Sequence, residues 1–236
     1  MFIYDTHVHS SECSGCAKNN VRELVHAYKE AGFSGFVLTN HFYHGNTALS
    51  RDIAWEDFAN AYYNAFLEAK AEGDKYGVDV IFGLEEYVGR GKEYLLYNID
   101  LDFMLNNPDL RTIDGKELAA RVHAAGGFVS HAHPFRFRDY MKAYYDPEFS
   151  DCDAIEIYNA NNTPEENARA AEAARQLGKY FTSGSDSHLI GNVAERRTGM
   201  VFPRRVTNGE EFVAALLDRQ TTPYINGETY YEGFGK

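Results

Sequence analysis

What most restricts the fold of this chain is the way its apolar runs end. Phe2 and Ile3 lead into DTHVHS at 5–10, residues 35–38 into TNH at 39–41, and residues 78–82 into GLEE at 83–86. Residues 128–130 lead into HAHP at 131–134, and residues 180–182 into GSDSH at 184–188. Each run reads as part of a buried strand, and each breaks off into histidine or acidic residues. Side chains alternate along a strand, so His7 and His9 face the same side. Between the runs lie stretches of helical character. Residues 21–31 carry Val21, Leu24, Val25 and Tyr28 at helical spacing and stop at Gly32. Residues 53–76 stop at Gly77, residues 115–125 at Gly126, and residues 164–177 begin with Pro164 in a helix-starting position. Further strands are expected at 94–99 and 154–158, and a last helix at 209–217.

Strand followed by helix, repeated, predicts a parallel sheet with right-handed crossovers, either open or closed into a barrel. An open sheet spreads its strand ends along an edge, whereas a closed barrel gathers them round one mouth. His7, His9, His41, Glu85, His133, Asp186 and His188 all fall at or just past the C-terminal ends of these strands, which favours the barrel. At 236 residues with 44% hydrophobic content, and with no repeat or linker dividing it, the chain is expected to form a single domain over 1–236. The aromatic stretch at 224–234 is expected either to close the barrel bottom or to contact a partner.

A net charge of −12 argues against a basic face for nucleic acid or anionic membrane. No apolar run approaches the roughly 18 to 20 residues of a membrane span. The residues before Asp5 lack the basic and apolar regions of a signal peptide, and three cysteines make no disulfide framework. A cytoplasmic location is the expectation.

A lone His-x-His pair is more often structural than functional, but histidines and acids at several matching strand ends form a constellation. Imidazole nitrogens and carboxylate oxygens together suit divalent zinc, manganese or iron, and a carboxylate can bridge two ions. His26 and His123 fall within helices and read as structural; His131, two residues before His133, reads either as support for a ligand or as packing. Cys13 and Cys16 form C-x-x-C, which admits a redox or zinc reading, or a loop in which Cys16 is an extra ligand. Arg136, Arg138, Arg196 and Arg197 follow ligand motifs and are candidate phosphate clamps, Arg136 first because it is nearest His133. His44 is a candidate substrate contact. Asn159, in IEIYNANN, either orients substrate or serves a turn.

DTHVH, TNH, GLEE, the His-Pro pair and GSDSH, in that order from Asp5 to His188, resemble the PHP family, the polymerase and histidinol phosphatase domain. The resemblance implies an α/β fold, a distorted (β/α)7 barrel with a metal cluster at the C-terminal ends of the strands. It implies two to three divalent ions. His7, His9, Glu85 and Asp186 would hold the first, Glu85 would bridge to a second that also takes His133, and His41 with His188 would hold a third. Glu93 stands where the family often has a histidine and enters as an oxygen ligand. Ser14, Glu12 or Cys16 stand where a further ligand of the third ion is usual, and Asn40 replaces an acidic neighbour. The implied activity is hydrolysis of a small phosphorylated metabolite or nucleotide, histidinol phosphate among them, by a metal-bound hydroxide, with Glu85, Asp186 and His188 as catalytic residues. The alternatives are a phosphodiesterase or exonuclease on short nucleic acid ends, and a non-catalytic metal-binding regulatory protein.

Overall fold

Local chemistry sets the helix boundaries in the computed structural model, which describes residues 1–139, 141 and 143–230. Helix α1 (Val21–Glu30) starts at Asn20, whose side chain accepts from the backbone N–H groups of Arg22 and Glu23 while Glu23 reciprocates. Helix α2 (Trp55–Tyr76) starts two residues later than its composition suggests and ends at Gly77, in the left-handed region at φ 69°. Helices α3 (Leu101–Asn106) and α4 (Gly115–Ala124) follow. Helix α5 (Pro164–Leu177) opens on a Thr163–Glu166 capping box with Pro164 in its first turn. Helices α6 (Ile190–Glu195) and α7 (Gly209–Leu217) complete the set. Among the described residues, no helix is long and apolar enough to cross a membrane.

The strands are β1 (Phe2–Val8), β2 (Gly35–Leu38), β3 (Asp79–Gly89), β4 (Lys92–Tyr97), β5 (Phe128–Ala132), β6 (Ala154–Asn159), β7 (Tyr180–Gly184), β8 (Gly199–Phe202), β9 (Thr222–Ile225) and β10 (Glu228–Thr229). They form one sheet in the order β10-β9-β8-β1-β2-β3-β4-β5-β6-β7. The all-parallel expectation is corrected at β4, which runs antiparallel to both β3 and β5. Gly89, Arg90 and Gly91 all take positive φ and reverse the chain too tightly for a helical crossover. The sequence reading also missed β8, β9 and β10. Strand β8 pairs antiparallel with the other edge of β1. Tyr224 of the aromatic stretch lies in β9, and residues 231–234 fall outside the described residues.

The sheet curls into a half-barrel that brings β7 back to β1. The His9 N–H donates to the Ser187 carbonyl at 3.0 Å, and the Ser185 N–H donates to Asp5 Oδ1 at 2.9 Å. Alternation then gives each strand two jobs. Val37, Ile81, Leu95, Tyr97 and Phe128 turn inward and pack with Phe202, Phe212, Val213 and Leu216 into an apolar floor, with α7 beneath it. Phe36, Leu38, Phe82, Leu84 and Leu96 turn outward against α1 and α2. Burying each such side chain contributes about 1.5–3 kcal/mol. Further along the same inward faces, past the floor, come His41, Glu85 and Glu93, which β2, β3 and β4 therefore lift to the mouth. In β1 the register with β2 shifts between Asp5 and Val8. Tyr4 belongs to the floor while Val8 packs outward, so the shift is what turns His7 and His9 inward.

Candidate metal centre

Glu85 stands at the middle of the mouth. Its Oε1 lies 3.2 Å from His7 Nε2 and 3.0 Å from His133 Nε2, and its Oε2 lies 2.8 Å from His41 Nδ1 and 3.5 Å from His9 Nε2. Asp186 Oδ1 lies 3.3 Å from His9 Nε2 and 3.5 Å from His188 Nδ1. Glu93 Oε2 reaches within 3.5 Å of His133 Nε2. Donor atoms lie within 4.8 Å of one another in several sets: His7, His9 and Glu85; His7, His133 and Asp186; His41, Glu85 and Glu93; and His9, His41 and His188. All eight metal-site residues read from the sequence thus meet at one place.

The donors fit divalent cations on an observation independent of their identity. His7 Nε2, His9 Nε2, His41 Nδ1 and Glu85 Oε2 are buried and lack any partner of hydrogen-bond geometry. Leaving such atoms unpaired costs about 1–3 kcal/mol each, and a cation among them would satisfy all four. The electrostatics agree. Burial alone would lower the His7 pKa, but Glu156, Asp186 and Glu85 hold it well above the usual histidine range. Burial would raise Glu85, yet His7 and His41 hold it well below the carboxylate range. His9 is driven well below its usual range by burial and then by His188 and His41. Imidazoles and carboxylates thus favour each other's charged forms in this cluster, and a bound cation would take over that balance of charge.

The surroundings aim the donors. Glu156, buried on β6, accepts from His7 Nδ1 at 2.9 Å and from the His133 N–H at 2.8 Å. The sequence reading gave it no role, although a lone acid between Ile155 and Ile157 in a buried strand is a usable signal. Ser14 Oγ lies 3.1 Å from His9 Nδ1, donates to Asn40 Oδ1 at 2.9 Å and accepts from the His41 N–H at 3.0 Å. Asn40 also accepts from the Ser10 N–H through Oδ1. At the positions where Asn40 and Ser14 depart from the family pattern, they tie the loop after β1 to the end of β2. A Cβ on Gly184 would sit 2.5 Å from His7 Cβ, so glycine there is what lets β7 approach β1. His133 and Asp186 take φ of 29° and 53°, which turns both side chains into the mouth. His131, still on the strand, instead faces outward between Tyr94 and Phe149, where burial lowers its pKa to about 3.

The cluster opens into a cavity of about 1040 Å³ whose wall includes His44, Tyr87, Arg90, Arg136 and Cys16. Arg136 donates to Asp186 Oδ2 at 2.8 Å, Asn159 Oδ1 at 2.7 Å and Asn162 Oδ1 at 2.8 Å. Asn159 in turn donates to Glu156. His44 is held between Glu86 and the Arg111 carbonyl. Arg138 pairs with Glu166, and Arg196 hydrogen-bonds Asn161. Cys16 lies beside His41 and His188; burial would raise its thiol, but hydrogen bonds to these two lower it to about 6. Cys13 is buried elsewhere, facing the Tyr62 carbonyl.

A half-barrel whose strand ends carry this cluster is the architecture of a metal-centre protein. The chain belongs to the PHP domain family, which matches residues 5–183, and a PHP-associated family matches residues 164–221. Among solved structures, a two-domain protein from Bacteroides vulgatus containing a predicted PHP-like metal-dependent phosphoesterase superposes with a TM-score of 0.73 at 15% identity. The match covers 97% of this chain and 66% of that one, so this chain spans just under two thirds of that protein. A lesion-specific endonuclease from Pyrococcus furiosus gives a TM-score of 0.59 at 13% identity, covering 94% of this chain and 57% of the other. An amidohydrolase from Chromobacterium violaceum gives 0.56 at 15%, covering 80% and 88%. At these identities the likeness is one of fold. No curated protein matches the chain.

Proposed function

We propose that this chain is a metal-dependent hydrolase of phosphate esters, acting on the monoester of a small metabolite or nucleotide. The observation that carries the reading is the set of unpartnered buried donor atoms of His7, His9, His41 and Glu85, of which His41 and Glu85 line one open cavity. Family membership supports metal dependence. The curl of β1 to β7, with hydrogen bonds from Ser185 and His9 across the seam, supports reading these strands as the family's distorted seven-stranded barrel.

His7, His9, Glu85 and Asp186 would hold one ion, Glu85 and His133 with Glu93 beside them a second, and His41 with His188 a third. Zinc, manganese or iron bound there would supply an acidified water and a polarised phosphoryl oxygen. The chain's own residues do the rest. Arg136 neutralises the outer oxygen of Asp186 while lining the cavity, so an anionic substrate meets positive charge where the carboxylates would otherwise repel it. His44 also stands at the wall, where its hydrogen bond to Glu86 favours the charged form. Asn159 keeps Arg136 and Glu156 in register. The net charge of −12 weighs against extended contact with nucleic acid and so against the diester reading.

The test is hydrolysis of p-nitrophenyl phosphate and of its bis-ester by chelator-stripped protein after return of zinc, manganese, iron or magnesium. Monoester turnover restored by at least one metal is expected. Glu85→Ala should abolish turnover and metal binding while the circular dichroism spectrum is kept. Full activity in Glu85→Ala, or bound ions with no turnover under any metal, would overturn the proposal, the second outcome favouring a regulatory metal-binding protein.

A further inference from the structure

A second cavity, of about 510 Å³, lies alongside the one at the metal cluster. Alternation along β4 sends Glu93 to the metal side and its neighbour Lys92 into this second space, and His131 lines it two residues before His133. The two cavities meet at the turn between β3 and β4, where Arg90, Gly91, Arg136, Met141 and Tyr145 form walls of both. Gly91 keeps that divide thin, since a Cβ there would lie 2.5 Å from Met141 Cε. A molecule with its phosphate at the cluster can therefore extend its other end across the turn.

The chemistry of the second cavity narrows what that end is. Its volume is that of a small-molecule site, and Val88, Pro134, Met141 and Tyr145 give it apolar surface. Its charges are of both signs, with Lys92 and Lys116 sharing the space with Asp146, Glu148 and Asp151. An anionic tail would meet the acids and a cationic one the lysines. A neutral ring with donors and acceptors along its edge is served by both. Two polar groups of the wall also find little to bond within the protein. Lys92 has only 19% of its side chain exposed, yet its ion pair with Glu148 spans 4.0 Å and the glutamate is largely exposed. His131 is buried, and its Nδ1 has no partner of hydrogen-bond geometry.

We propose that the second cavity is the leaving-group subsite and takes the base of a nucleoside monophosphate, with Lys92 donating to an acceptor on the base edge and Tyr145 packing on its face. The inference rests on the phosphate-monoester reading and names the substrate class for it. In the reaction the bond between phosphorus and the ester oxygen breaks. Water supplies both the oxygen that phosphorus gains and the proton that the departing nucleoside hydroxyl takes. Contacts to the base, remote from the reacting bond, hold the ester in place.

The test compares the monophosphates of adenosine, guanosine, cytidine and uridine with glycerol phosphate, whose alcohol carries no ring, on metal-reconstituted full-length protein. At least one nucleotide should exceed glycerol phosphate in kcat/KM by on the order of 100-fold. Lys92→Met should cut that preference about tenfold or more, chiefly through KM. Asp146→Trp, at an exposed position that lines this cavity and not the other, should cut it by filling the space, and serves if the methionine variant is unfolded. Apart from turnover, the matching nucleoside should bind chelator-stripped wild type in calorimetry, and Lys92→Met about tenfold more weakly. A wild type that prefers no nucleotide, one that binds no nucleoside, or a preference untouched by both variants would each overturn the subsite and leave the hydrolase reading intact. Absence of turnover for every monoester would overturn the hydrolase reading, and the subsite with it.

Discussion

Glu156 holds two candidate ligands at once, His7 by its ring and His133 by its backbone N–H. Replacing it with glutamine keeps the shape but removes the charge that makes His7 Nε2 a good donor. Glu156→Gln is expected to weaken metal binding by about 10- to 100-fold with little loss of stability; competition against a chromogenic chelator measures it, and an unchanged affinity would deny Glu156 this role. The candidate ligands were legible because few residue types bind metals and all of them but Glu93 follow an apolar run. What supports them was not. The left-handed backbone of His133 and Asp186 leaves no mark on residue identity, and the contacts of Ser14 depend on a loop path that no spacing rule supplies.

At the scale of elements, the longer helices were read well, the short helices α3 and α6 were missed, and strand direction was not read. Residues 164–177 and 209–217 were legible to the residue, because capping residues and glycine stops act locally. A strand's alternation carries no direction, so β4 looked like another parallel strand, although Gly89-Arg90-Gly91 between two strands is a hairpin cue. The start of α5 also carries a pH-sensitive clamp. Glu166 accepts from the Thr163 and Phe137 N–H groups and pairs with Arg138. Burial would raise its pKa, but these contacts, the Arg138 hydrogen bond foremost, lower it from 4.5 to about 2. A depressed carboxyl stabilises the fold above its unfolded value and loses that contribution as pH falls toward the folded one. Between about pH 4.5 and 2 the wild type should therefore lose stability, on the order of 1–2 kcal/mol after solvent screening. Glu166→Gln should lack this component. Parallel urea titrations across that range compare the two, and identical pH profiles would contradict the assignment.

Over the whole molecule, the cluster joins β1, β3, β5 and the ends of β2 and β7, so a bound ion cross-links distant parts of the chain. Removing it should lower the thermal midpoint, and restoring metal at about 1,000 times its dissociation constant should return roughly 4 kcal/mol. Calorimetry before and after chelation checks this; a midpoint indifferent to bound metal would mean that the histidine and carboxylate pairs hold the mouth together unaided. The gathering of strand ends at one mouth was legible from the repeated pattern of apolar run and polar stop. The added strands β8 to β10 were not, because their short runs between 199 and 229 carry no histidine or acidic stop to mark them. The seam between Asp5 and Ser185, 180 residues apart, has a further consequence in time. During synthesis, His7 and His9 are made well before the strand that closes on them and the helix that floors them. Until β7 and α7 have followed, the segment that carries both histidines waits without its partners, and the site cannot be assembled before then.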